Sequence, residues 1–183
     1  MGFWLVTALV VALMVWVVVA YNRLVRLRNQ VRTAWADVDV QLVRRHDLVP
    51  QLVAAVKGYA GHEKALLETA TQLRAEAVAE KNPARLGEVE SALERATGRL
   101  LALQEAYPDL KASDNFLALQ RDLVEVENQL QYARRFYNGA VRDYNDAVQR
   151  VPDLAVARAF AFAGGEFYQA EAEQRASVAV KMP

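Results

Sequence analysis

Two histidines are present, His46 and His62, and no cysteine. The absence of cysteine removes a disulfide framework, a thiol nucleophile and a thiolate zinc site. The histidines stand sixteen residues apart, with no His-x-x-x-His or Glu-x-x-His around them. The pair His62-Glu63 cannot alone supply the paired Glu-x-x-His geometry of a bundle metal centre. No Gly-x-Gly-x-x-Gly and no Gly-Lys-Ser/Thr offers a phosphate cradle. No motif sets a nucleophile beside a base, so no enzymatic activity, cofactor or metal is expected.

The remaining polar residues of interest lie on apolar stripes. Arg45 interrupts one heptad row and Glu63 falls in line with another. Each is a candidate for a site between helices. The alternative is that Arg45 snorkels or pairs with an acid on a neighbouring helix, and that alternative carries more weight. Asp47 closes the cluster Arg44-Arg45-His46-Asp47, read as a solvated face plus one ion pair inside the bundle. Tyr137-Asn138 and Tyr144-Asn145 recur one heptad apart. They suit a polar groove, or two packed rings and two amides bonding across the bundle, the second being favoured.

The elements that must position these residues begin with an anchor. Residues 3–20 read FWLVTALVVALMVWVVVA, without a charge. As a helix they span about 27 Å, close to a bilayer's hydrocarbon thickness. Phe3 and Trp4 near one end, and Trp16 and Tyr21 near the other, suit the two interfaces. A cleaved leader would have Lys or Arg before its apolar run, and here there is none. Instead Arg23, Arg26, Arg28 and Arg32 follow it. By the positive-inside rule these place the body in the cytoplasm and a short N-terminus outside, a single-pass protein of the inner membrane. The same four arginines are candidates for contact with lipid headgroups.

The rest of the chain is patterned for helices. Over 113–150, Phe116, Leu123, Leu130, Tyr137 and Tyr144 form one row, and Leu119, Val126, Ala133, Ala140 and Ala147 the second. Ser113 is the expected cap and Pro152 the stop. Over 83–107, Leu86, Leu93, Leu100 and Tyr107 make one row and Val89, Ala96 and Leu103 the other, with Asn82-Pro83 as the start. Residues 21–80 read as one helix kinked at Pro50, with a break near Gly58–Gly61 as the alternative. Residues 154–165 read as a short fourth helix. The expected class is all-α: a transmembrane helix continuing into an up-and-down bundle of three long helices plus a short fourth. The divisions are 1–21 for the anchor, 22–165 for the bundle and 166–183 for a partly ordered tail.

Net charge is zero, which argues against a nucleic-acid partner. The expected partners are the bilayer, further copies of the chain and, alternatively, another membrane protein. Leu24, Leu27, Val31 and Trp35 continue the apolar stripe down to the membrane, where little folded-back chain is expected to reach. That stem is the expected self-association surface, and Trp35→Glu is expected to break an oligomer while leaving helix content intact.

Taken together, the motifs resemble the LemA family over nearly the whole chain. The resemblance rests on Tyr21-Asn22-x-Leu24-Val25, Arg45-x-Asp47-Leu48-Val49-Pro50-x-Leu52-Val53 and Val56-Lys57-Gly58-Tyr59-Ala60 with Glu63. It continues through Tyr107-Pro108-x-Leu110-Lys111-Ala112, Phe116-x-x-Leu119-Gln120, Glu127, Ala133-Arg134-x-x-Tyr137-Asn138 and Tyr144-Asn145. One departure is Gln51, where the family usually has Asn, which questions any tight local bond there. The resemblance implies a membrane-anchored helical bundle with a short external N-terminus and a cytoplasmic body; it does not imply an enzyme. One branch of the family is associated with magnetosomes, which lends weight, by analogy, to a role in organising membranes. The function expected is therefore a non-enzymatic, membrane-anchored oligomeric scaffold. The alternative is a monomeric adaptor in envelope signalling or proteolysis.

Overall fold

A computed structural model describes residues 1–168 of the chain. The expected tail over 166–183 lies, from residue 169 on, outside the described residues. The described residues contain helices and no strand, as the patterning predicts.

Among the described residues six α-helices follow in order: α1 (Gly2–Lys57), α2 (Lys64–Ala79), α3 (Pro83–Ala102), α4 (Pro108–Lys111), α5 (Asp114–Gln149) and α6 (Asp153–Ala159). The two caps expected from sequence are made. Asn82 Oδ1 accepts from the backbone N–H groups of Ala84 and Arg85, both at 3.0 Å, so two orphan donors of α3 are satisfied. The backbone N–H of Phe116 donates to Ser113 Oγ at 3.4 Å at the start of α5.

Three boundaries differ from the sequence reading. The favoured unbroken helix over 21–80 is instead two, because the chain turns between Lys57 and Lys64. Gly58 and Gly61 weaken the helix there, whereas Pro50 is accommodated inside α1. The turn resets the helical phase. Ala60, Leu67, Ala70 and Ala77 are buried, while Tyr59 is exposed. The helix expected to reach Tyr107 ends at Ala102, followed by a 3₁₀ turn over Leu103–Glu105 and then α4. The last helix stops at Ala159, short of residue 165.

The chain divides into two compact units. The first is Met1–Asp37 with Ala133–Glu166; the second is Val38–Tyr132 with the described residues from Phe167 on. In the second, Leu52, Val56, Leu100, Leu110, Phe116 and Leu123 centre one core. In the first, Ala20, Leu24, Tyr144, Ala147, Val148, Val156, Ala157 and Phe162 form another. Each fully buried leucine or phenylalanine contributes about 1.5–3 kcal/mol over an exposed one.

Candidate functional site

The first unit holds the apolar segment and what surrounds its base. Phe3, Trp4, Leu5, Leu9, Leu13 and most apolar neighbours up to Val19 are exposed on α1. Among the described residues, α1 is the one helix long and apolar enough to cross a membrane. At its lower end the exposure stops. Trp16 and Val17 lie half-buried against the cluster of Ala20, Leu24 and Phe162.

That cover comes from residues about 140 positions further along the chain. Tyr21 meets Phe160 edge-on at 4.9 Å and Phe162 at 5.5 Å between ring centroids. The turn that presents both rings is a Schellman motif closing α6. The Phe162 N–H donates to the Ala157 carbonyl at 2.9 Å, and the Ala161 N–H donates to that of Arg158 at 3.4 Å. Ala161 occupies the left-handed position, φ 54°, where glycine is usual.

The stem stripe is accordingly not free. Leu24 is fully buried, Leu27 and Val31 pack partly against the same core, and Trp35 meets Tyr137 edge-on at 5.1 Å. The expectation that this stripe stays open is corrected: the end of α5, α6 and the turn after it fold back over the stem. The arginine collar is also partly spent. Arg23 Nη1 donates to Asp153 Oδ2 at 2.7 Å, and Arg28 lies 5.2 Å over the Phe162 ring, a cation–π contact. Arg26 and Arg32 are exposed.

The polar pair of α5 acts as structure. The Tyr137 hydroxyl donates to the Glu166 carbonyl at 2.8 Å. Asn145 Nδ2 donates to the Gly165 carbonyl at 3.0 Å, and the Gly165 N–H donates back to Asn145 Oδ1 at 2.7 Å. This two-way amide bond straps residues 164–166 to α5. A Cβ at Gly164 would stand 3.0 Å from Asn145 Oδ1, so a side chain there would press on the strap's acceptor. Burial first, then the nearby Glu166 carboxylate, raises the Tyr137 hydroxyl above its ordinary pKa. Burial raises Tyr144 as well, against the opposing pull of Arg28 and Arg32. Asn138 is half-buried and also has an interaction partner.

The second unit holds a buried charge network. Arg45 is completely buried. Its Nη1 donates to Glu90 Oε2 at 2.9 Å, and its Nη2 is paired with Glu127 Oε1 at 2.7 Å. His46 Nε2 donates to the other Glu90 oxygen at 2.6 Å, so both oxygens of this fully buried carboxylate are engaged. The Arg74 Nε donates to the His46 carbonyl at 3.2 Å. Arg45 thus pairs with acids of two other helices. His46, however, is buried rather than part of a solvated face. Asp47 is exposed, and its carbonyl accepts from Gln51 Nε2 at 3.0 Å, so the longer amide does make a local bond. Glu63 sits apart, half-buried at the start of α2.

Glu90 was not singled out from sequence. Its signal was its spacing: four residues after Leu86 and three before Leu93, it falls on the buried stripe of α3 with Thr97. Among the described residues no group of three His, Asp or Glu is arranged to hold a metal ion.

Comparison with known proteins accords with the motifs. The profile of the LemA family matches residues 34–182, beginning after the apolar segment and the arginine collar. Magnetosome protein MamQ 2 of Paramagnetospirillum magneticum is 24% identical over 189 residues, covering 87% of this chain and 68% of its own length. Magnetosome protein MamQ of Magnetospirillum gryphiswaldense is 22% identical over 171 residues, covering 78% and 62%. Protein LemA of Metamycoplasma hominis is 25% identical over 161 residues, covering 86% and 72%. With its matched span covering most of its length and its motifs in family order, the chain belongs to the LemA family.

Proposed function

We propose that the protein is a non-enzymatic scaffold, anchored by residues 3–20 in the inner membrane, with its bundle in the cytoplasm and self-associating there. The observation that carries this reading is the exposed apolar first third of α1, which runs without interruption into helical turns buried by the protein's own core. An apolar surface of that length has no stable home in water. The magnetosome name of two relatives supports a role in organising membranes. Arg26 and Arg32 remain exposed to meet headgroups, while Arg23 and Arg28 also serve the fold. Self-association must use a surface other than the covered stem.

Electron microscopy and light scattering of full-length protein purified from membranes test the scaffold. Rings, lattices or large uniform assemblies are expected, and small monomeric particles across a wide concentration range would overturn it. A second reading, a monomeric adaptor for another membrane protein, draws support from one feature of the second unit. A groove of about 580 Å³ opens beside α1 and α2, lined by Val53, Leu67 and Ala75 together with Lys57 and Lys64. Monomeric particles together with a co-purifying membrane protein that is lost on Leu67→Glu would favour this reading.

A further inference from the structure

Residues 151–163, with the sequence VPDLAVARAFAFA, lie at the base of the apolar segment yet leave much of their own apolar surface uncovered. Phe160 is 52% exposed although its ring meets Tyr21, and Val151 is 77% exposed. Phe162, by contrast, is buried and fixes the turn against Ala20 and Leu24. The one acid in this stretch, Asp153, is buried and neutralised by Arg23. Arg158 is exposed, as is Arg26 on the adjoining part of α1. The result is a largely apolar stretch, basic at Arg158 and with its own one acid paired, held at the level of Tyr21, while the exposed Asp143 and Asp146 of α5 lie beside Arg23.

We infer that the α6 turn is a second membrane-contacting element, with Phe160 entering the headgroup–acyl boundary beside the anchor. An interface of this kind takes aromatic and aliphatic side chains flanked by cations. Continuity with the anchor decides the occupant. Tyr21 belongs to the helix that enters the bilayer, and Phe160 touches Tyr21, so the lipid reached by one is within reach of the other. The Schellman turn, with Ala161 held in the left-handed conformation, fixes how Phe160 leaves the helix. This inference rests on the proposal that residues 3–20 span the membrane.

The chain has no cysteine, so a nitroxide can be placed at a single engineered one. Phe160→Cys, Val151→Cys, Val10→Cys and Phe136→Cys are each labelled in the full-length protein. They are then reconstituted in vesicles of phosphatidylethanolamine and phosphatidylglycerol. Collision with oxygen and with a water-soluble nickel chelate is measured at each site. Position 10 is expected to read as lipid and the exposed α5 position 136 as water. Positions 160 and 151 are expected to read between them, with the nickel chelate partly excluded. Aqueous values at both 160 and 151, with lipid values at 10, would overturn the inference and leave the anchor standing. Aqueous values at 10 would overturn the anchor itself. Spin–spin broadening at 160 that vanishes on dilution with a diamagnetic label would assign the surface to a second copy and overturn the lipid contact. Using Val151, which is far more exposed than Phe160, keeps the test informative should Phe160→Cys disturb the turn.

Discussion

At the scale of single residues, Arg45 is the side chain whose loss should cost most. Its removal would leave Glu90 buried and short of one cationic partner. Arg45→Met is expected to destabilise the protein by about 3–5 kcal/mol, measured by denaturant unfolding in detergent. Adding Glu90→Leu should recover much of that loss, because the remaining acid Glu127 is partly exposed and can be hydrated. Simple additivity of the two substitutions would contradict the network. The interruption at Arg45 was legible in the sequence, where snorkelling and an acidic partner on another helix stood as alternatives. Which acid was not, since Glu90 looks like any surface glutamate until the phase of α3 is known.

Ala161 gives an opposite expectation. A non-glycine residue in the left-handed region costs about 1 kcal/mol. Ala161→Gly should therefore leave stability unchanged or raise it by up to about 1 kcal/mol, with the gain in chain entropy of the unfolded state working against it. A marked loss would show that the turn is held differently. Tyr137 adds a dependence on pH. Its pKa is raised in the fold above the ordinary 10.0, so the neutral hydroxyl is favoured there. Its contribution is full below pH 10 and is lost as the pH rises through the raised value. Tyr144 behaves the same way. Tyr137→Phe is expected to flatten, without abolishing, the fall in stability above pH 10, at a neutral-pH cost of about 0.5–1.5 kcal/mol for the lost hydrogen bond.

At the scale of elements, the seams of α3 and α5 were readable because leucine, alanine and tyrosine recur at heptad spacing. The end of α1 was less so. Pro50 is the louder signal, yet the chain turns at Gly58–Gly61, since a proline inside a long packed helix is tolerated when tertiary contacts favour it. The strap over residues 164–166 was invisible, because its bonds join Asn145 and Tyr137 to backbone atoms about twenty to thirty positions away. Asn145→Leu would leave the Gly165 N–H and carbonyl without their partner. It is expected to speed proteolysis after residue 159 while leaving α1 to α5 helical by circular dichroism. Unchanged cleavage would show that the strap does not hold this segment. Trp35→Glu, first expected to act on an oligomer alone, should now lower stability by about 2–4 kcal/mol, because the ring packs on Tyr137 inside one unit. Intact stability with altered particle size would restore the stem as an assembly surface.

At the scale of the whole molecule, the apolar segment dominates behaviour. The full chain is expected to resist extraction from membranes by alkaline carbonate, and a chain lacking residues 1–20 to be released, checked by immunoblot of the two fractions. Release of both would count against the anchor. The composition announced this part of the molecule most clearly, since eighteen uncharged residues followed by arginines need no tertiary information to interpret. What composition did not announce is that the same region is also where the last described turns of the chain return.

The bond between Arg23 and Asp153 joins residues 130 positions apart. Under the proposed topology, Arg23 therefore does two jobs at different times. When the apolar segment first meets the membrane during synthesis, Asp153 has not yet been made. Arg23 then counts as an unpaired positive charge that helps hold its flank in the cytoplasm. Only after residue 153 has been added does the same guanidinium become a clasp. A reversed charge at position 23 would thus act twice, first on the direction of insertion and later on closure of the fold, whereas a reversed charge at Asp153 would act only on closure.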